Sequence, residues 1–383
     1  MINAVICEFN PFHNGHKYLL EKAREKTGAD ATVCFMSGNF VQRGGLAVCR
    51  KHERAAAAVK NGADLVIQIP TAYTLAGASV FAGAGVFMAS SLNVETSLCF
   101  GSESEDLLPL FRLALVDKDK LNYAFRTAIS QGRSYSDSVM RAYSACCDAD
   151  ASLLKQPNNL LAFEYIKAVI EQKSDIKLVN ILRRGAAHDG DTTLDGFASA
   201  SYIRSHADED MSRFMPQELP LSIDVKTLET ALLFSVYSKT ADELLRFADM
   251  GEGLNNRVYS AARHAQSASE LYELIKSRRY THSRIRRAVM NVLIQNPAGL
   301  CKTPVPYLNV LAFNDRGREL LKTLDDTCTL PVVTKPSRIA ELDTENAAAH
   351  FELECRATDV YDFCCKTRRG GGNEYRISPV YVR

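Results

Sequence analysis

Short apolar runs alternate with amphipathic stretches over the first half of the chain. Ala4-Val5-Ile6-Cys7 is a compact β-rich run and reads as a buried strand. Residues 16–26 put Tyr18, Leu19, Leu20 and Ala23 on one stripe among charges, the spacing of a helix. Ala31-Thr32-Val33-Cys34-Phe35-Met36 gives a second buried strand, residues 50–62 an Ala-rich helix stopped by Asn61-Gly62, and residues 64–69 a third strand closed by Pro70. A helix over 79–92, a strand over 96–100 and a strand over 177–182 follow, with a helical insertion over about 104–172. Strands separated by helices imply a parallel sheet covered on both faces, an α/β fold of the Rossmann-like type.

The pattern changes after residue 205. Residues 226–276 are helical in period, and a Pro-rich stretch, Thr303-Pro304-Val305-Pro306, opens a last section. That section holds a strand candidate at Leu330-Pro331-Val332-Val333-Thr334 and a run at Gly370-Gly371-Gly372. Three units are expected: 1–205 as an α/β domain, 206–300 as a helical domain, and 301–383 as a small mixed α/β unit.

Composition narrows the class. Apolar content of 46% with 24% charged residues is that of a soluble globular chain, and 383 residues exceed one ordinary core. No stretch reaches the roughly 20 apolar residues of a membrane-spanning helix, and residues 1–9 lack the basic start and cleavage site of a secretory signal. Net charge is +1, so a polyanion would need a local patch. The 11 cysteines are odd in number and form no C-x-x-C pair, which points to a reducing cytoplasm and small buried thiols.

The strongest chemical signal is Asn10-Pro11-Phe12-His13-Asn14-Gly15-His16, directly after the first strand and opening the first helix. Ligands of open α/β sheets gather at the C-terminal strand ends, and exposed N–H groups with the helix dipole favour phosphate there. Two imidazoles three positions apart can face one phosphate, and Gly15 lets the backbone approach. The alternatives are histidines that only pad a turn, or a zinc site, for which Glu8 is the only further ligand nearby. Far downstream, Ala198-Ser199-Ala200-Ser201-Tyr202-Ile203-Arg204 offers hydroxyls and an arginine at another helix start.

The H-N-G-H string resembles the H-x-G-H signature of the α/β nucleotidyltransferase superfamily, and residues 198–204 resemble its second signature, with Ser201 where threonine is usual. Longer strings narrow the resemblance. Cys7-Glu8-Phe9-Asn10, Met36-Ser37-Gly38-Asn39-Phe40-Val41-Gln42-Arg43-Gly44, Phe100-Gly101-Ser102-Glu103, Pro157-Asn158-Asn159, Arg183-Arg184-Gly185, Arg279-Tyr280-Thr281 and Ala357-Thr358-Asp359-Val360-Tyr361 together look like the bacterial tRNA(Met) cytidine acetate ligase family. The resemblance implies activation of acetate by ATP to acetyl-adenylate, then acetylation of N4 of the wobble cytidine of elongator tRNA(Met). It implies catalytic roles for His13, His16, Ser201 and Arg204. It implies ATP contacts at Ile6, Cys7, Glu8, Phe9, Asn10, Pro11, Phe12, His13, Asn14, Gly15, His16, Lys17, Tyr18 and Leu19, then at Gly101, at Asn158 or Asn159, and at Arg183. A magnesium ion bridging phosphate oxygens is expected for such chemistry, although no carboxylate cluster marks its ligands. The segment after Arg183 runs one residue short of the family spacing, which bears on Arg184 and His188.

Two surfaces complete the expectation. Lys276, Arg278, Arg279, Arg284, Arg286 and Arg287 fall close together with Tyr280 and no acid among them, so the arginines would meet tRNA phosphates and Tyr280 would stack on a base. Asn39, Gln42 and Arg43 lie beyond the second strand and either read the base or form a loop held by its own bonds. A nucleotidyltransferase with a small-molecule product and a non-catalytic RNA-binding protein with a relict pocket are the competing readings. Oligomeric state has no signature in the sequence.

Overall fold

β1 (Ile2–Cys7) lies inside the sheet, and its residues alternate between the two faces. Ala4 and Ile6 join the core on one side, and Val5 joins the core on the other. A computed structural model describes residues 1–184, 196–206, 208–217 and 219–383. After β1 come α1 (Asn14–Thr27), β2 (Ala31–Ser37), a hairpin of β3 (Phe40–Val41) and β4 (Gly45–Leu46), and α2 (Lys51–Lys60). β5 (Leu65–Ile69), α3 (Thr71–Thr74), α4 (Ala78–Ser91) and β6 (Thr96–Ser102) follow. The helical insertion is α5 (Leu108–Ala114), α6 (Lys118–Ser130), α7 (Tyr135–Cys146) and α8 (Pro157–Gln172), and the chain returns to the sheet at β7 (Lys177–Leu182).

The later elements are α9 (Ala200–Ser205), α10 (Val225–Tyr237), α11 (Ala241–Leu244), α12 (Leu254–Ala262), α13 (Ala268–Ile275) and α14 (His282–Leu293). β8 (Leu308–Phe313), α15 (Asp315–Thr327), β9 (Val332–Val333), α16 (Ala347–Phe363) and β10 (Val380–Tyr381) end the chain. The main sheet runs β10-β8-β5-β2-β1-β6-β7, with β9 beside β8. Strands β5, β2, β1, β6 and β7 are parallel. Helices α4 and α8 cover one face, and α1 and α2 cover the other.

The C-terminal segment departs from the expectation of a separate unit at 301–383. β8 pairs antiparallel with β5, and Leu308, Val310, Leu311 and Ala312 are buried in the same cores as the first strands. An apolar strand buried on both faces has no independent role, so it closes the edge that β5 would otherwise present to solvent. The fit is close: a Cβ at Gly317 would stand 2.0 Å from the Asp64 carbonyl oxygen. Asn314 caps α15 through the Gly317 N–H and donates to the Asp64 carboxylate at 3.0 Å. The boundary at 300 is also crossed, because Leu353, Ala357 and Tyr361 of α16 share a core with α10, α12, α13 and α14. Phe40 and Leu46 of the hairpin and Leu75 belong to that core too, so the helical region is packed onto the first half of the chain.

One buried side chain ties the strand ends together. Arg54 of α2 is 0% exposed, and its guanidinium donates to the carbonyls of Glu8, Ser37, Gly38 and Cys49. It therefore fixes the chain leaving β1 against the chain leaving β2.

Candidate active site

The strand order reverses between β1 and β6: the chain goes from β1 outward through β2 and β5, then returns to the other side of β1. Crevices at such switch points, at the C-terminal strand ends, are where ligands bind in open α/β sheets. The cavity here is bounded by residues 6–10 after β1, by Phe100 and Gly101 at the end of β6, and by Ile181, Leu182 and Arg183 at the end of β7.

His13 is the N-cap of α1, and its Nδ1 accepts the Gly15 N–H at 3.0 Å. His16, at the third helical position, accepts the His13 N–H on its own Nδ1 at 3.3 Å. This is a capping box built from two imidazoles, and their rings stack with centroids 3.7 Å apart. With both Nδ1 atoms accepting, each neutral ring carries its proton on Nε2 and has that N–H to offer. Burial, reinforced by the Arg183 and Arg204 charges, pushes the His13 pKa down to about 3. Burial, with the stacked His13 ring and the Arg183 charge beside it, holds His16 well below the usual imidazole value. Both rings are therefore uncharged N–H donors at neutral pH. Gly15 is required here because a Cβ would stand 2.9 Å from the His13 ring.

Two arginines belong to the same site. Arg204 of α9 donates to the Asn10 carbonyl at 2.7 Å and to Ser201 Oγ at 3.1 Å, while Ser199 caps α9 by accepting the Tyr202 N–H at 3.0 Å. Arg183 donates to Asn158 Oδ1 at 3.2 Å, and Asn158 donates in turn to the Glu103 carboxylate at 2.5 Å. Burial lowers the pKa of both arginines from the ordinary guanidinium value. Part of the wall is apolar: Ile6, Leu19, Phe81, Phe100, Leu161, Tyr165 and Ile181. An apolar side suits a purine and ribose. The facing set of His13, His16, Ser199, Ser201, Arg183 and Arg204 suits a triphosphate.

Of the positions expected from the sequence, Ile6, Cys7, Glu8, Phe9, Asn10, His13, Gly15, His16, Tyr18, Leu19, Gly101, Asn158, Arg183, Ser201 and Arg204 line the cavity. Pro11, Phe12, Asn14, Lys17 and Asn159 do not. Phe12 is fully buried against Phe9, and Lys17 faces outward to Glu21 at 3.9 Å. Asn14 donates to the carbonyls of Gly196 and Arg213 at 2.9 and 3.0 Å, which joins α1 to the segment around α9. Asn159 is 0% exposed and its Oδ1 takes the N–H groups of Glu103 and Ser104, so Asn158 is the asparagine of the pair that faces the cavity. Gly185 and His188 lie outside the described residues. Arg184 is described, and its guanidinium lies 5.3 Å over the Tyr18 ring.

The hairpin residues divide in the same way. Asn39 is buried, donating to Thr358 Oγ1 and accepting the Lys51 N–H, so it holds the loop and does not face a substrate. Gln42 and Arg43 line the cavity, with the Gln42 N–H donating to Glu8 Oε1 at 2.6 Å. The wall residues Phe81, Leu161, Tyr165 and Phe197 escape sequence reasoning, because an apolar wall reads as ordinary core; only the run of aromatics at one sheet end could have hinted at it.

The basic stretch is the larger correction. Tyr280 is 5% exposed and donates its hydroxyl to the Glu252 carbonyl, so it cannot stack on a base. Arg287 is 7% exposed and pairs with Asp249 at 3.0 Å, and Arg284 pairs with Glu252 at 2.7 Å. Both acids come from the loop before α12, which a local reading of the basic run does not bring into view. Lys276, Arg278, Arg279 and Arg286 remain exposed.

The HIGH Nucleotidyl Transferase family matches residues 1–374. A tRNA(Met) cytidine acetate ligase of Clostridium kluyveri is 33% identical over 411 residues, covering 100% of this chain and 99% of that one. One from a Thermoanaerobacter species is 32% identical over 399 residues and covers 99% of each. The crystal structure of Thermotoga maritima TmcAL bound with alpha-thio ATP matches at a TM-score of 0.90 and 28% identity, over 100% of this chain and 99% of that chain. With the whole length matched and the H-x-G-H donors in place at the switch point, the chain belongs to the tRNA(Met) cytidine acetate ligase family of HIGH nucleotidyl transferases.

Proposed function

We propose that this enzyme activates acetate with ATP and passes the acetyl group to N4 of the wobble cytidine of elongator tRNA(Met). The observation that carries the reading is the pair of neutral N–H donors stacked at the start of α1, with Arg183 and Arg204 beside them. An acetate oxygen attacks the α-phosphorus, the bond to the bridging oxygen breaks, and pyrophosphate leaves. The protein needs no nucleophile for that step. Its work is to position the groups and neutralise charge on the phosphates, which fixed donors in a water-poor site do well.

His13 and His16 would donate Nε2–H to phosphate oxygens, and Arg183 and Arg204 would hold the charge that develops towards pyrophosphate. Ser201 would add a hydroxyl beside Arg204. Among the described residues no group of three or more His, Cys, Asp and Glu side chains is arranged to hold a metal ion, and Glu8 is the one carboxylate among those lining the cavity. The described residues thus offer no dedicated magnesium cage, and a magnesium ion would arrive on the triphosphate with water among its other ligands.

Arg278, Arg279 and Arg286, with Lys276 in only a long 3.9 Å pair to Glu273, are the cations of the basic stretch exposed to tRNA phosphates, and they would set affinity more than sequence choice. Purified protein with ATP, magnesium, radiolabelled acetate and elongator tRNA(Met) tests the reading. ATP-dependent label in the tRNA, lost in His16→Ala, is the expected outcome. Pyrophosphate release with no labelled RNA would point to another acid or acceptor.

A further inference from the structure

The second half-reaction needs a proton acceptor, because the exocyclic amine of cytosine must lose a proton as it becomes an amide. Resting on the function proposed above, we propose that the Glu8 carboxylate is that base. The groups lining the cavity leave no rival among the described residues. His13 and His16 already use Nδ1 to accept backbone N–H groups and carry protons on Nε2. Cys7 has its thiol pKa raised by burial, and its Sγ lies 3.6 Å from the Phe35 carbonyl. Tyr165 is raised in the same way and keeps its proton. Arg43, Arg183, Arg184 and Arg204 are cations.

Glu8 is placed for the task. It follows β1 directly, and its backbone carbonyl is gripped by Arg54. Its Oε1 accepts the Gln42 N–H at 2.6 Å, which orients the carboxylate, and Oε2 takes no hydrogen bond among the described residues. The β3–β4 turn that supplies Gln42 is itself fixed, since Gln42 Nε2 donates to the Ala76 carbonyl at 3.1 Å. The carboxylate therefore sits between the nucleotide wall and the hairpin, with Arg43 and Arg204 as its charged neighbours.

The step balances. The N4 lone pair attacks the acetyl carbonyl carbon and the C–N bond forms. The N4 proton passes to Glu8 Oε2. The carbonyl re-forms, the bond from the acyl carbon to the phosphate oxygen breaks, and AMP leaves with that electron pair. The protonated Glu8 then returns its proton to solvent.

Glu8→Gln keeps the size and the acceptor for the Gln42 N–H but removes the base. Two products are measured in parallel: acetyl-adenylate, trapped with hydroxylamine as acetohydroxamate, and acetylated tRNA. In Glu8→Gln the ratio of acetylated tRNA to hydroxamate should fall on the order of 100-fold, the scale of a lost general base, and Glu8→Asp should recover part of it. An unchanged ratio, whether or not both products decline together, would overturn the proposal and leave Glu8 as an anchor or a nucleotide contact. If the wild-type enzyme makes no hydroxamate from acetate and ATP, the functional reading fails first and the proposal falls with it.

Discussion

Acidification should weaken the fold in part through His13. In the native state this imidazole is 6% exposed, accepts the Gly15 N–H on Nδ1, and has its pKa pushed down to about 3. In the unfolded chain it titrates near its ordinary 6.5, so between these values the unfolded state binds a proton that the native state refuses. Stability from this residue is present above pH 6.5 and is lost as pH falls through the window. At 1.36 kcal/mol per pH unit, moving from pH 7 to pH 5 removes about 2 kcal/mol. His13→Asn is the control, because asparagine is a good N-cap and can still accept the Gly15 N–H. Urea denaturation of the ATP-free protein at both pH values should show wild type losing about 2 kcal/mol more than the variant over that interval. Equal losses in the two proteins would mean that His13 is not held neutral, and its Nδ1 could not then be the acceptor of the Gly15 N–H.

Five further outcomes follow from the structure. Arg204→Ala should slow acetate-dependent pyrophosphate release roughly 100- to 1,000-fold, the range for removing one preorganised charge-stabilising donor, as read in a coupled phosphate assay. Arg54→Met leaves four carbonyls without their buried donor and should destabilise by on the order of 3–5 kcal/mol in denaturant titration. Arg278→Ala with Arg279→Ala should raise the KM for tRNA and reduce the salt slope of binding by about one per lost phosphate contact, whereas Arg287→Ala should chiefly lower thermal stability, because it breaks the pair with Asp249. Gly44→Ala places a Cβ 2.4 Å from the Arg287 backbone nitrogen at a φ of +78°, so it should lose more than about 1 kcal/mol in the same titration.

What the sequence revealed and what it hid have physical reasons. The strand–helix alternation of the first half is local, and so is the H-x-G-H turn, whose donors sit within four residues. Both could be read directly. Arg204 was reachable only through its motif, since nothing local says that its guanidinium bonds the Asn10 carbonyl from 194 residues away. The closing strand β8 looked like any apolar run, and only its antiparallel register with β5 makes it part of the sheet. The basic stretch misled because charge was counted along the chain: Asp249 and Glu252, folded back from before α12, neutralise the two arginines that helical register would have offered to RNA.

That closing strand also dictates a timetable on the ribosome. β5 ends at residue 69, and its outer neighbour begins at residue 308. At the usual pace of synthesis the intervening chain takes on the order of 10–50 s to emerge. Throughout that interval the nascent nucleotide-binding half presents an unpaired, apolar sheet edge, the kind of surface that recruits other strands. A fragment stopping near residue 205 would keep that liability permanently. The nucleotide-binding half is thus completed by a strand made long after it, and the cell must shelter the edge until that strand arrives.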